Sequence, residues 1–595
     1  MAPVLALGAV SAPGDQGGAP TPQSPLLDSY VAWSDGEFPE AAFARGRSVD
    51  PTAVADHSVA AIERRHLRAM ELLTQARTLL QGGALDEDGR LDVALLVGEL
   101  ERGTEGHRFR RWLMPVHGRG GPQQSLAIIP DDTPFRTADD VRWFVARLEK
   151  QPAVVEQVRA TLDQGLREGL VPSTVAMTGV LDQFKAVDRG GLQGWRVPVL
   201  RDWPGLEEPE RTMLLQRVDA ARESSLAALR SMAGFLRESY IPACIQSPAA
   251  SDQPMGREYY DHELHSFTTT RLTAQEIHDL GLSEVARIRS EMMAVIARTP
   301  WASANAERGA LPEQDRFDAF VRFLRSDPQF VPASADALLS GYRDICKTID
   351  AELPRFFRRL PQLPYGVREI PAFMAPSQTT AYYQSGSLET GLPGWFCANT
   401  YALAERPTYD MVPLSLHEAV PGHHLQIALA QEMTGQHLFR RDLHYTVFVE
   451  GWALYAERLG IEMGFYEHDP YADFGRLGFE QWRACRLVVD TGIHALGWSR
   501  ARAISYMRAN TGLSDLNIER EVDRYIAWPG QATGYKIGEL AIRRMRAEAE
   551  RVLGTRFDIR AFHDHLLGAG ALPLDILEGR MAAWTAAQDL RKTPG

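Results

Sequence analysis

Apolar residues recur at three- and four-residue spacing along most of the chain. Residues 54–80, 138–168, 208–238 and 273–298 all carry this pattern, which one buried side of a 3.6-residue helix produces. Thr273-Ala274-Gln275-Glu276 opens the last of these runs as a capping box, because each side chain can satisfy a backbone donor of the first turn. The pattern changes after Leu353. Residues 359–413 are rich in Pro, Gly, aromatic and β-branched types, and 367–373 and 379–384 are predicted as short strands. Gly391-Leu392-Pro393-Gly394 reads as a turn before Trp395. Helical spacing then resumes to the end. The expectation is a mainly α, multi-helical protein with a small β or irregular insert. A loose tail over 1–25 precedes a helical N-terminal lobe over 26–358. The insert and a helical catalytic lobe occupy 359–595. The insert is either an edge strand for an extended substrate or a connecting loop.

The length of 595 residues supports two lobes, since single cores stop growing at roughly 250–300 residues. Hydrophobic residues make up 45% and the net charge is −13. An acidic chain lacks the basic face that nucleic-acid binding needs. No run of about 18 apolar residues marks a membrane span. Cys244, Cys346, Cys397 and Cys485 form no C-x-x-C pair and are expected as buried thiols. Met1 to Ala12 is apolar and ends in small residues, like the back half of an export signal, but it lacks a basic start. A periplasmic or secreted location is favoured over the cytoplasm. Oligomeric state is left open.

Candidate chemistry concentrates in His417-Glu418-Ala419-Val420-Pro421-Gly422-His423-His424 and in Glu450-Gly451-Trp452-Ala453, on a second helical run. Two His, a distant Glu and a Glu beside the first His are the parts of a zinc hydrolase. The familiar helical version places its second His at i+4, and here that position is Pro421. On a regular helix His424, at i+7, falls about 20° from His417 but two turns away. Pro421 and Gly422 predict a kink, which can bring His423 beside His417 instead. Spacing alone leaves both His423 and His424 open as the second ligand. Glu457 is either a support for the site or a surface residue. His437 and His444 are not expected as ligands.

The His417–Gln426 stretch, followed by Glu450–Glu457, resembles the bacterial family called domain of unknown function 885. The likeness continues through Arg486–His494 and Pro529–Gly538. That family is similar to the gluzincin peptidases, a largely helical group holding zinc with two His and a Glu. The resemblance implies a gluzincin-like fold with one Zn2+ per chain, Glu450 as third ligand, and His423 preferred over His424.

In such a site zinc polarises the scissile carbonyl and acidifies water, and Glu418 serves as general base. A second donor for the developing oxyanion is sought in Tyr535, in His494 with Asp490 at i−4, or in Arg486. Arg486 can instead hold a substrate carboxylate, which suits a carboxypeptidase or dipeptidase. A buried network that only packs helices is the structural alternative for this stripe. Lys536 and Arg524 are weaker candidates. The favoured function is a zinc metallopeptidase acting on peptides or oligopeptides, exo- or endo- being open. A zinc amidohydrolase on a non-peptide amide or ester is one rival. A non-catalytic peptide-binding protein on a peptidase-like scaffold is the other.

Overall fold

The computed structural model describes residues 21–372 and 374–590. The molecule is mainly helical with a single three-stranded sheet among the described residues. A helix over Ser24–Glu37 begins inside the stretch expected as a loose tail, with Pro25 in its first turn, where a missing N–H costs nothing. Residues 1–20, which carry the apolar start, lie outside the described residues.

The N-terminal helices that matter most for packing are α1 (Val59–Gln81), α2 (Glu87–His107), α3 (Ala138–Leu148), α4 (Gln151–Arg167) and α5 (Glu208–Phe235). They are followed by α6 (Gly256–Thr268), α7 (Ala274–Arg298) and α8 (Ala335–Phe356). Ser58 starts α1 by accepting from Ala61 N, so the helix begins five residues later than its apolar pattern. The single helix expected over 138–168 is two helices, α3 and α4. Pro152 stands in the first turn of α4 and lacks the donor a continuous helix would use there. Helix α7 carries the capping box of Thr273 and Glu276 on both arms.

The insert forms β1 (Tyr365–Glu369), β2 (Ala381–Gln384) and β3 (Gly394–Ala398). Strand order is β1-β3-β2, with β1 parallel and β2 antiparallel to β3. Strand β1 stops before Pro371, short of the predicted 373, and Phe373 itself lies outside the described residues. The Gly391 turn, with φ of +71°, sits just before β3.

Then come α9 (Met411–Glu418), α10 (His423–Gln431), α11 (Thr446–Leu459), α12 (Pro470–His494), α13 (Asp515–Ala527), α14 (Gly534–Leu553) and α15 (Leu574–Leu590). One apolar core lies wholly within residues 116–244. Two others are assembled from both halves of the chain. One joins Leu96 and Tyr260 to Trp452 and Ile542; the other joins Ile288 and Phe320 to Val488 and Tyr525. Helix α12 runs through the interior beside α7, and almost every residue from Ala472 to His494 is buried. Helices α11 and α14 cross where Gly451 meets Gly538. A Cβ on Gly451 would come within 2.5 Å of Gly538 Cα, and one on Gly538 within 1.9 Å of Val447 O. This contact sets the depth of α11, the helix that carries Glu450. No helix among the described residues is long and apolar enough to cross a membrane. All four cysteines are buried thiols.

Candidate metal centre

The His-rich motif is a helix break rather than a kinked helix. Helix α9 ends at Glu418, and α10 starts at His423. Between them the chain folds back so tightly that a Cβ on Gly422 would lie 2.0 Å from His417 O and 2.4 Å from Leu416 O. Only glycine fits this reversal. Trp452 Nε1, from α11, donates to Pro421 O at 2.7 Å and pins the loop. The result places His423 beside His417, with ring centroids 4.7 Å apart.

Glu450 completes a triangle. Its Oε2 lies 3.5 Å from His417 Nε2 and 3.5 Å from His423 Nε2. One ligand atom from each of the three residues lies within 4.8 Å of the others. Two ligands about 2.0–2.1 Å from a tetrahedral zinc sit roughly 3.3–3.4 Å apart, so the spacing suits one cation. Glu450 Oε2 and the buried Glu418 Oε2 accept no hydrogen bond. Three carboxylates (Glu418, Glu450 and Glu457) crowd two imidazoles here. That donor set has a surplus of negative charge and fits a divalent ion.

The electrostatics agree. Burial opposes a charge on His417, yet the facing carboxylates of Glu450 and Glu457 lift its pKa to about 9. Burial likewise opposes ionisation of Glu450, but the facing His423 and His417 hold its carboxyl well below the usual range. The crowded carboxylates thus favour positive charge at this point. Burial raises the Glu418 carboxyl, with His417 and His423 pulling the other way.

Glu457 is not a surface residue. Two helical turns beyond Glu450 on α11, it is 1% exposed and accepts from His417 Nδ1 at 2.8 Å. A carboxylate only accepts, so Nδ1 carries a proton and Nε2 is the nitrogen that faces the centre. Arg483 Nη2 lies 3.6 Å from the same Glu457 oxygen.

His424 takes no part in the triangle. Its Nδ1 accepts from Tyr383 Oη at 2.9 Å, and it is also hydrogen-bonded to the Leu363 backbone. It ties α10 to β2, and burial lowers its pKa to about 4. The break at Pro421-Gly422 resets the helical phase, so the i+7 geometry that made His424 a candidate does not exist.

His417, Glu418, His423 and Glu450 open onto a cavity of about 750 Å³. Residues 379–383, at the free edge of the sheet, line one side of it, together with Arg486, Arg524 and Tyr535. Tyr535 lies in the first turn of α14; burial and the Glu450 charge raise its pKa and keep its hydroxyl protonated. Arg486 is held by Glu521 Oε2 at 3.0 Å and donates from Nε to Tyr525 Oη at 3.1 Å.

His494 is elsewhere. Its Nδ1 accepts from Ala250 N at 3.0 Å and its Nε2 donates to Tyr525 O at 2.9 Å. Both nitrogens are consumed by backbone groups, and the residue does not line the cavity. Asp490 does not orient it either; that carboxylate accepts from Tyr260 Oη and Gly530 N. Lys536 is fully buried in a network with Glu480, Glu539 and Glu284. His437 pairs with Asp28. His444 lines the cavity, as do Arg119 and Glu263 from the N-terminal half, which no pattern near the metal motif announced.

Fold and site together define a large helical protein with a largely buried His/His/Glu cluster facing a cavity. The chain belongs to the bacterial protein family of unknown function DUF885, whose model matches residues 39–581. It is similar in structure to a protein from Colwellia psychrerythraea provisionally described as a lipoprotein. That likeness has a TM-score of 0.87 and 25% identity, over 95% of this chain and 100% of that one. A second similar structure, from Shewanella oneidensis, is provisionally described as a lipoprotein of unknown function. It shares 18% identity with a TM-score of 0.69, over 94% of this chain and 99% of that one. Among curated proteins none matches the chain.

Proposed function

We propose that the chain is a zinc-dependent metallopeptidase of gluzincin type that hydrolyses peptides or oligopeptides. The observation that carries this reading is the convergence of His417, His423 and Glu450 at tetrahedral ligand spacing, with the unpaired Glu418 carboxylate beside them. His417, His423 and Glu450 would hold one zinc ion, which supplies a Lewis acid for water and carbonyl.

The protein's own groups do the rest. Glu457 orients His417. Glu418 takes a proton from water as its oxygen bonds to the carbonyl carbon, and returns that proton to the amine nitrogen as the C–N bond breaks. The Tyr535 hydroxyl donates to the developing oxyanion. The free edge of β2 offers backbone groups to an extended peptide. The three metal-site side chains and Glu418 sit in the wall of a recessed cavity, which favours short, flexible substrates over folded proteins. A location outside the cytoplasm belongs to the same reading, supported by the similar Colwellia protein's provisional description as a lipoprotein.

The test combines metal analysis of purified protein with hydrolysis of a panel of peptides, small amides and esters by wild type and Glu418→Gln. One zinc per chain, peptide cleavage, and a loss of about 10²–10⁴-fold in the variant with zinc retained are expected. Equal cleavage by both proteins refutes the mechanism. Cleavage of amides or esters without peptides would reassign the substrate. Zinc without any turnover would leave a binding protein.

A further inference from the structure

Three guanidinium groups in the cavity share a single carboxylate. Arg486 and Arg524 donate to Glu521 Oε2 at 3.0 and 3.1 Å, and Arg119 Nη2 approaches Glu521 Oε1 at 3.8 Å. Their other close partners are neutral. Arg524 donates to Gln531 Oε1 at 2.7 Å. The guanidinium of Arg486 lies between the rings of Trp482 and Tyr535, at 4.5 and 4.4 Å. Two positive charges are therefore left without a counter-ion. Two other arginines lining the cavity are placed differently: Arg102 pairs with Glu99 and Arg483 approaches Glu457.

Uncompensated buried charge is expensive, and it persists where an anion is meant to arrive. Arg486 is 4% exposed, and its buried Nη1 donates to nothing. Burial and the neighbouring Arg524 push Arg119 down to about 10, with Glu521 pulling the other way. A planar carboxylate matches the guanidinium fork and can accept from two arginines at once. Tyr535 connects this wall to the metal side: its ring packs on Arg486, and it lines the same cavity as Glu450.

We infer that Arg119, Arg486 and Arg524, around Glu521, form a carboxylate pocket that receives the C-terminal carboxylate of a peptide. Resting on the peptidase reading, this narrows the substrates to short peptides anchored by their free C-terminus, with a bond near that end presented to Glu418. Arg119 comes from the loop after His117, in the N-terminal half, so the pocket exists only once the two halves of the chain are packed together.

Binding is measured apart from turnover, by titration calorimetry on the purified Glu418→Gln protein. The probes are an N-acetylated tripeptide as the free acid, the same peptide as its C-terminal amide, and an amide carrying an internal Glu. The free acid is expected to bind about tenfold or more tighter than its amide. Arg119→Gln, at a side chain only 27% exposed but held by one long ion pair, is expected to abolish most of that preference. Equal binding of acid and amide overturns the pocket. Full preference retained in Arg119→Gln removes Arg119 from it. If the internal-Glu amide binds as tightly as the free acid, the assignment to the C-terminus is overturned. None of these readouts depends on cleavage, so failure of the hydrolase reading shows separately, as wild type that leaves all peptides intact.

Discussion

Replacing Glu457 with Gln keeps the shape of the side chain and removes its charge. In the native structure the carboxylate accepts from His417 Nδ1 at 2.8 Å, wholly out of solvent. A hydrogen bond to a charged group contributes about 1.5–3 kcal/mol, and a neutral one about 0.5–1.5 kcal/mol. The amide can still accept from Nδ1, so the expected loss is the difference, about 1–1.5 kcal/mol. That corresponds to roughly tenfold weaker zinc binding, within the 10–100-fold seen when such outer partners are removed. The same change removes the negative charge that faces Arg483, whose Nη2 lies 3.6 Å from the same oxygen, which lowers the stability of the metal-free protein as well. Competition titration against a chromophoric chelator reads the zinc affinity of wild type and variant. Thermal unfolding of both metal-free proteins accounts for the fold. Zinc affinity unchanged within about twofold, in a variant that is folded, would refute the role given to Glu457 and with it the orientation of His417.

Two other outcomes follow from the geometry. His423→Ala is expected to lose zinc, whereas His424→Ala keeps it and loosens the contact with Tyr383; metal content after dialysis decides, and the reverse pattern would overturn the ligand set. Tyr535→Phe is expected to retain zinc and to lower kcat by about 10²–10³-fold, and an unchanged kcat in steady-state kinetics would remove the tyrosine from oxyanion stabilisation.

Much of the architecture was readable from residue order. The 3.6-residue period marked most long helices, and the Thr273 box predicted the start of α7 to the residue. Its failures are local and explicable. A proline in the first turn of α4 divides what looked like one helix, and Ser58 begins α1 later than its apolar stripe. Short strands β1 and β2 were visible as β-branched and aromatic runs, but their pairing through β3 was not, because strand order is decided by contacts between segments far apart in sequence.

For the candidate centre, local chemistry was enough to single out His417, Glu418 and Glu450, since imidazole and carboxylate in such density have few structural uses. Choosing between His423 and His424 was beyond it: angular arguments hold only along an unbroken helix, and Gly422 reverses the chain. Glu457 and a surface glutamate look alike in one dimension; only the packing of α11 against α9 distinguishes them. His494 and Asp490 suggested a dyad by spacing, yet the backbones of Ala250, Tyr525 and Gly530 claim both side chains. Arg119 carries no signal at all, standing some three hundred residues from the motif. Residue type thus singled out the groups that could share a site, while long-range packing decided which side chains line one cavity, because burial and proximity are properties of the folded whole.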